Sequence, residues 1–138
     1  MTEMNTYLTF DGNCAEAMKF YQKCLNADLQ MMPFSEMPKT EGEIPAGSKD
    51  RVMHARLTKG NATLMASDTM PGHPFKMGNN FSISLNCESK KEVDDFANAF
   101  KQGGQVTMPN QDTFWGAYFG MVTDKFGINW MFNYDFKK

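Results

Sequence analysis

The side chains suited to chemistry are few, and their spacing is the first thing to weigh. Of the two histidines, His54 lies in the strand-like run MHARL and His73 between prolines in PGHPF. His54 could shuttle a proton or orient a ligand, because imidazole changes charge near neutral pH. Its plainer reading is a hydrogen-bonded structural histidine, and His73 reads as solvated. A two-histidine metal site would need carboxylates brought to both, and no spacing supplies them. Asp68 and Asp135 close two similar runs, GNATLMASD (60–68) and GINWMFNYD (127–135). Strand-end hydrogen bonding is the simple role for both, but Asp68, just before Met70-Pro71, could also present its carboxylate at the rim of a binding site. Asp124 reads as a turn residue. Trp115 and Tyr118 are pocket candidates, each joining an apolar body to one polar handle. The three cysteines have no CxxC spacing, so neither a disulfide framework nor a zinc knuckle is indicated.

The elements that must hold these residues come in duplicate. HARLT runs into a turn at Lys59-Gly60 and FGMVT into a turn at Asp124–Gly127, and each turn is followed by an apolar run, the pattern of a β-hairpin. Upstream, YLTF precedes NCAEAMKFYQKCL and FSISL precedes SKKEVDDFANAF, a strand and then a helix in both cases. Helical spacing puts Ala15, Met18, Tyr21 and Leu25 on one stripe, and Val93, Phe96, Ala97 and Phe100 on another. Ser89 with Glu92, and Asn13 with Glu16, have the spacing of capping boxes. Gly103-Gly104 supplies the positive-φ residue that ends the second helix. The chain is therefore a tandem of two βαβββ modules, 5–68 and 80–135, joined by a linker over 69–79 and forming a single domain over 1–138. Pro33 to Asp50, with three prolines and many charges, reads as a long loop of the lid or binding kind.

A chain of 138 residues and net charge −2 can bury a core without staples, and it lacks the basic patch that nucleic acid or an anionic membrane would need. No apolar run would span a bilayer, and MTEMNTY has no signal-peptide pattern, so a cytoplasmic location is expected. Thirteen methionines are many for this length, and their flexible thioethers suit adaptable surfaces.

The repeat, together with FDGNCAEAMKFY, MHARL before LMASD, and FWGAYFG-MVTDKFGINWMF, resembles the PhnB-like branch of the vicinal oxygen chelate superfamily, which includes glyoxalase I, bleomycin-resistance proteins and extradiol dioxygenases. The resemblance spans essentially the whole chain. It implies an α+β, glyoxalase-like fold in which each module's curled mixed sheet makes half of a cup. In metal-dependent relatives, four histidine or glutamate ligands come from the first and last strands of the modules and hold a divalent ion that polarises substrate. Carried to this chain, those positions fall within Asn5–Tyr7, near Asn80, near Leu64 and near Met131. None is a histidine or a carboxylate, so no metal and no other cofactor is expected. If Met131 faces the cup, alternation turns Trp130 and Phe132 toward the helices.

The resemblance implies a small-molecule ligand and a homodimer. Leu64 and Met131 would form an apolar floor, Trp115 and Tyr118 the walls, and His54 and Asp68 the orienting polar groups. The competing reading is a glyoxalase- or isomerase-type enzyme with an undetected metal or with His54 as base. A methyltransferase, a label sometimes attached to this branch, is disfavoured because no strand-GxGxxG-helix nucleotide motif occurs.

Overall fold

The computed structural model describes residues 2–36 and 47–136. Residues 37–46, most of the expected Pro33–Asp50 loop, lie outside the described residues. The chain divides into two compact units, Met1–Lys76 and Met77–Lys138, each a strand, a helix and three strands. In the first unit β1 (Thr6–Phe10) is followed by α1 (Cys14–Leu25), β2 (Asp28–Pro33), β3 (Val52–Lys59) and β4 (Ala62–Asp68). In the second, β5 (Ile83–Asn86) is followed by α2 (Lys90–Phe100), β6 (Gln105–Asp112), β7 (Ala117–Thr123) and β8 (Asn129–Asp135). The sheets have the orders β1-β4-β3-β2 and β5-β8-β7-β6. The first and last strands of each unit pair parallel, and the remaining pairs are antiparallel. This is the α+β, glyoxalase-like tandem. Among the described residues, no helix is long and apolar enough to cross a membrane.

Each sheet buries one face under its own helix. Cys14, Ala17, Met18, Tyr21 and Leu25 of α1 are buried, as are Leu8, Phe10, Ala55, Leu57, Leu64 and Ala66 of the strands. Met18, Tyr21 and Leu25 lie on this stripe as expected, but Cys14 and Ala17 take the place of Ala15, a small rotation of the helix about its axis. In the second unit Val93, Ala97 and Phe100 are buried. The Phe100 ring lies 4.4 Å from Trp130 and 5.3 Å from Phe132, so these two β8 residues do face the helix. Burying such side chains contributes about 1.5–3 kcal/mol each. Gly103 has φ +76°, and Gly104 lies so close to the backbone of Thr123 and Asp124 that a Cβ there would collide with it.

The two helices are capped differently. Ser89 Oγ accepts from the Glu92 N–H at 3.0 Å, so the serine half of the capping box forms as its spacing predicts. The Glu92 carboxylate accepts from the Glu88 N–H at 3.1 Å, one residue before the N-cap amide that a full box would use. Asn13 makes no side-chain cap bond. Asp68 does the work from the end of β4: Oδ1 accepts from the Gly12 and Cys14 N–H groups at 2.8 and 3.0 Å, and Oδ2 from the Val52 N–H at 2.8 Å. The topology explains the exchange. Asp68 pairs with Phe10, and α1 begins four residues after Phe10, so its orphan amides open beside the strand end. Asp124 plays a matching part in the second unit, accepting from the Phe126 and Ile128 N–H groups and from the Trp130 indole.

Two outcomes follow from Asp68. Asp68→Ala leaves three backbone donors unanswered and should cost about 2–4 kcal/mol in urea unfolding, against less than about 1 kcal/mol for Asn13→Ala. Equal losses would show that Asp68 does not cap α1. The second concerns Cys14, whose thiol is pushed up from 9.0 to about 12 by burial and by the neighbouring Asp68 carboxylate. A folded-state value above the unfolded one adds stability that is complete below pH 9 and lost as pH rises toward about 12. The stability advantage of wild type over Cys14→Ala should therefore shrink across that alkaline window. An unchanged difference would mean that the thiol is not perturbed.

Candidate functional site

The face of each sheet turned away from its own helix, its open face, collects the residues free to meet a ligand. Strand parity decides which these are. In the first unit one row crosses the sheet as Tyr7, Met65, Arg56 and Gln30, and beside it Thr9 pairs with Ser67 and His54 with Met32. Tyr7 and Met32 are 48% and 44% exposed, and His54 and Arg56 are exposed as well. The Tyr7 and His54 rings lie 6.1 Å apart. In the second unit the corresponding row is Ser84, Met131, Met121 and Met108, with Phe119 opposite Asn133 in the next. Trp115, in the β6–β7 turn and 56% exposed, sets its ring edge-on to Phe119 at 5.9 Å.

The registers align the two units residue by residue. Tyr7 pairs with Met65 as Ser84 pairs with Met131, and Leu57 pairs with Leu64 as Val122 pairs with Trp130. The counterpart of Met131 is thus Met65. Leu64 corresponds to Trp130, is 5% exposed and faces α1, so it forms no floor on the open side. Matching the repeats at Gly60 and Gly127 slips by one residue because the second hairpin turn is longer. Five residues separate the paired Thr123 and Asn129 (124–128), and four separate Thr58 and Thr63 (59–62). The first-strand position expected near Asn80 likewise moves to Ser84, since β5 begins only at Ile83.

Two further expected site residues lie elsewhere. Tyr118 is on the helix side of β7, opposite Tyr134. Its hydroxyl donates to Asp94 on α2 at 2.7 Å, and that bond, more than burial or nearby carboxylates, holds the phenol above its ordinary pKa. Asn110 donates to the same Asp94 oxygen at 2.9 Å and lies over Gly120, where a Cβ would strike it. Lys90 sits 5.1 Å above the Tyr118 ring and bonds Asp112, so this cluster ties helix to sheet. Asp68, 6% exposed, spends both carboxylate oxygens on backbone amides.

Of the expected site residues, His54 lies on the first unit's open face and Met131 on the second's, with Trp115 at the edge of the latter. The first unit's face also holds Tyr7, at the end of the expected first-strand span Asn5–Tyr7, and adds Arg56 and Met65, which sequence reasoning passed over. Alternation held the signal, since in MHARL residue 56 must share the face of residue 54.

The open-face positions that correspond to the expected metal ligands of the first and last strands are Tyr7, Met65, Ser84 and Met131. A phenol, a hydroxyl and two thioethers do not fit the imidazole-carboxylate set that holds a catalytic divalent ion. Among the described residues, no group of three or more His, Cys, Asp or Glu could hold a metal ion.

Comparison with known proteins places this geometry in a family. The family model described as 3-demethylubiquinone-9 3-methyltransferase matches residues 2–132. Protein YjdN of Escherichia coli is 33% identical, over 94% of this chain and 93% of that protein. The crystal structure of protein PA1353 from Pseudomonas aeruginosa shares 45% identity with a TM-score of 0.87, covering 98% of each chain. A structure from Bacillus cereus described as a putative 3-demethylubiquinone-9 3-methyltransferase, PhnB protein, shares 25% identity with a TM-score of 0.75, covering 96% of this chain and 99% of that one.

Proposed function

We propose that this chain, which belongs to the PhnB-like branch of the vicinal oxygen chelate superfamily, binds a small, partly apolar organic molecule on its open sheet faces without a resident divalent metal. The observation that carries the reading is the makeup of the second unit's open face. Met131 and Met121 stand side by side, with Met108 opposite Met121, and Phe119 and Trp115 lie next to them. Thioethers and aromatic rings adapt to the outline of an apolar guest and favour its rings through sulfur–aromatic contacts. Asn133, opposite Phe119, adds an amide able to orient a polar group. The methyltransferase in the family model's description is not carried over to this chain, whose sequence has no nucleotide-binding glycine motif.

A second reading, a proton-transfer enzyme of isomerase type with His54 as base, draws on the exposure of His54 beside Tyr7 on the first unit's open face. Imidazole in contact with solvent and a neighbouring phenol can accept a proton from a bound substrate. Turnover of a screened ligand that is lost in His54→Gln, with binding retained, would favour it.

The main test is a thermal-shift screen of small organic molecules with and without a chelator, because a ligand specific for the folded state raises the melting temperature. Hits should persist in chelator. Met131→Glu should weaken them by tenfold or more, since a carboxylate set among thioethers is costly to desolvate, and Trp115→Ala should weaken them by a smaller factor. Affinities unchanged in both variants, or hits abolished by chelator, would refute the reading.

A homodimer is part of the same proposal. The edge strands β2 and β6 carry exposed Met32 and Val106, and uncovered edges invite pairing. Light scattering should give twice the chain mass at micromolar concentration, and a monomer mass would contradict this.

A further inference from the structure

We infer that the first unit's open face is an anion site, with Arg56 as the charged contact and His54 and Tyr7 beside it, taking the carboxylate of a small organic acid. This inference rests on the small-molecule reading above and names the chemical class of its ligand.

The internal repeat supplies the argument. Equivalent positions of the two units share one backbone geometry, so a residue required by the fold should recur in kind. The buried rows do recur as apolar residues: Leu57 and Leu64 match Val122 and Trp130, and Ala66 matches Phe132. The open rows do not. Arg56 occupies the place of Met121, His54 that of Phe119, Tyr7 that of Ser84, and Gln30, opposite Arg56, that of Met108 opposite Met121. The scaffold thus accepts a thioether where the first unit has a guanidinium and a phenyl ring where it has an imidazole. Neither cation nor imidazole is a demand of the sheet.

The surroundings of Arg56 point the same way. It lies on β3, an inner strand, between Gln30 and Met65. Among the described residues it forms no ion pair, unlike Arg51 of the same unit, which bonds Asp11 at 3.0 Å. Within the four strands the open-face carboxylate is Asp28, at the sheet edge opposite Thr58, one pair removed from Arg56. His54 lies two residues along the same strand, roughly 6–7 Å away, and its ring is 6.1 Å from Tyr7. A guanidinium offers the planar fork that a carboxylate accepts bidentately. The imidazole and phenol can donate to the remaining lone pairs, while Met65 and Met32 supply apolar ground for the body of the molecule.

The test titrates sodium benzoate and, separately, its neutral isostere benzamide into the full-length protein and follows the ring proton resonances of His54. His73→Gln assigns the two histidines. The comparison variant is Arg56→Met, which installs the residue that the second unit already carries at the equivalent place. Benzoate should perturb His54 saturably and bind at least roughly tenfold tighter than benzamide, a difference of about 1.4 kcal/mol. Arg56→Met should remove that preference while leaving the melting temperature unchanged. Equal affinity for the two probes, no saturable effect of benzoate, or undiminished benzoate binding by Arg56→Met would each overturn the assignment. Neutral screening hits that still bind Arg56→Met would leave the small-molecule reading standing even if this assignment fell.

Discussion

A carboxylate buried in a protein of this size is tolerated only when its charge is answered by donors, because an unanswered one would be costly to desolvate. Asp68 meets that condition with three backbone amides, and in doing so holds together the start of α1, the end of β4 and the entry to β3. The helix then covers one face of the sheet and leaves the other uncovered by its own unit. The second unit reaches the same end through Asp124, whose oxygens gather two hairpin amides and the indole of Trp130. There the carboxylate fixes the β7–β8 turn and anchors the largest residue packed against α2. Each unit thus turns on one internally satisfied acid, placed at a different joint.

With one face of each sheet committed to a helix, the opposite face is free to diverge. The buried rows of the two units remain apolar and interchangeable in character. The open rows separate into a phenol, an imidazole and a guanidinium in one unit, and thioethers with an aromatic ring in the other. Packing constrains only what it covers, since a buried side chain must fill a defined volume and an exposed one need not. The contrast between the two faces is therefore better read as chemistry than as architecture. It also explains why a scaffold whose relatives hold metals can carry open faces of a different donor character.

Much of the fold could be read from the chain because its signals are local. The helical stripes, the paired hairpins and the Ser89 cap each arise from residues within a turn or two of one another. Alternation along β8 is enough to set Trp130 and Phe132 on one face and Met131 on the other, while the packing on Phe100 decides which face meets α2. The candidate site was less legible. His54, Met131 and Trp115 lie on or at the open faces, but Leu64, Tyr118 and Asp68 are occupied by the core, by Asp94 and by the α1 amides. Each of those three placements depends on a partner distant in sequence: the helix α1, the α2 carboxylate, and a helix start 54 residues away from Asp68.

The sequence by itself determined the repeat, the class of fold and most of the buried stripes, since these depend on composition and short-range periodicity. Only the tertiary structure decided the register between the repeats. One additional turn residue in the second hairpin shifts every side chain on β8 by one place relative to the glycine-anchored match, and in a strand a shift of one exchanges the two faces. With that residue allowed for, Leu64 matches the buried Trp130, Met65 opposite Tyr7 matches Met131, and Arg56 matches Met121. Strand parity depends on pairing between distant segments, and no local pattern records which partner a strand will meet.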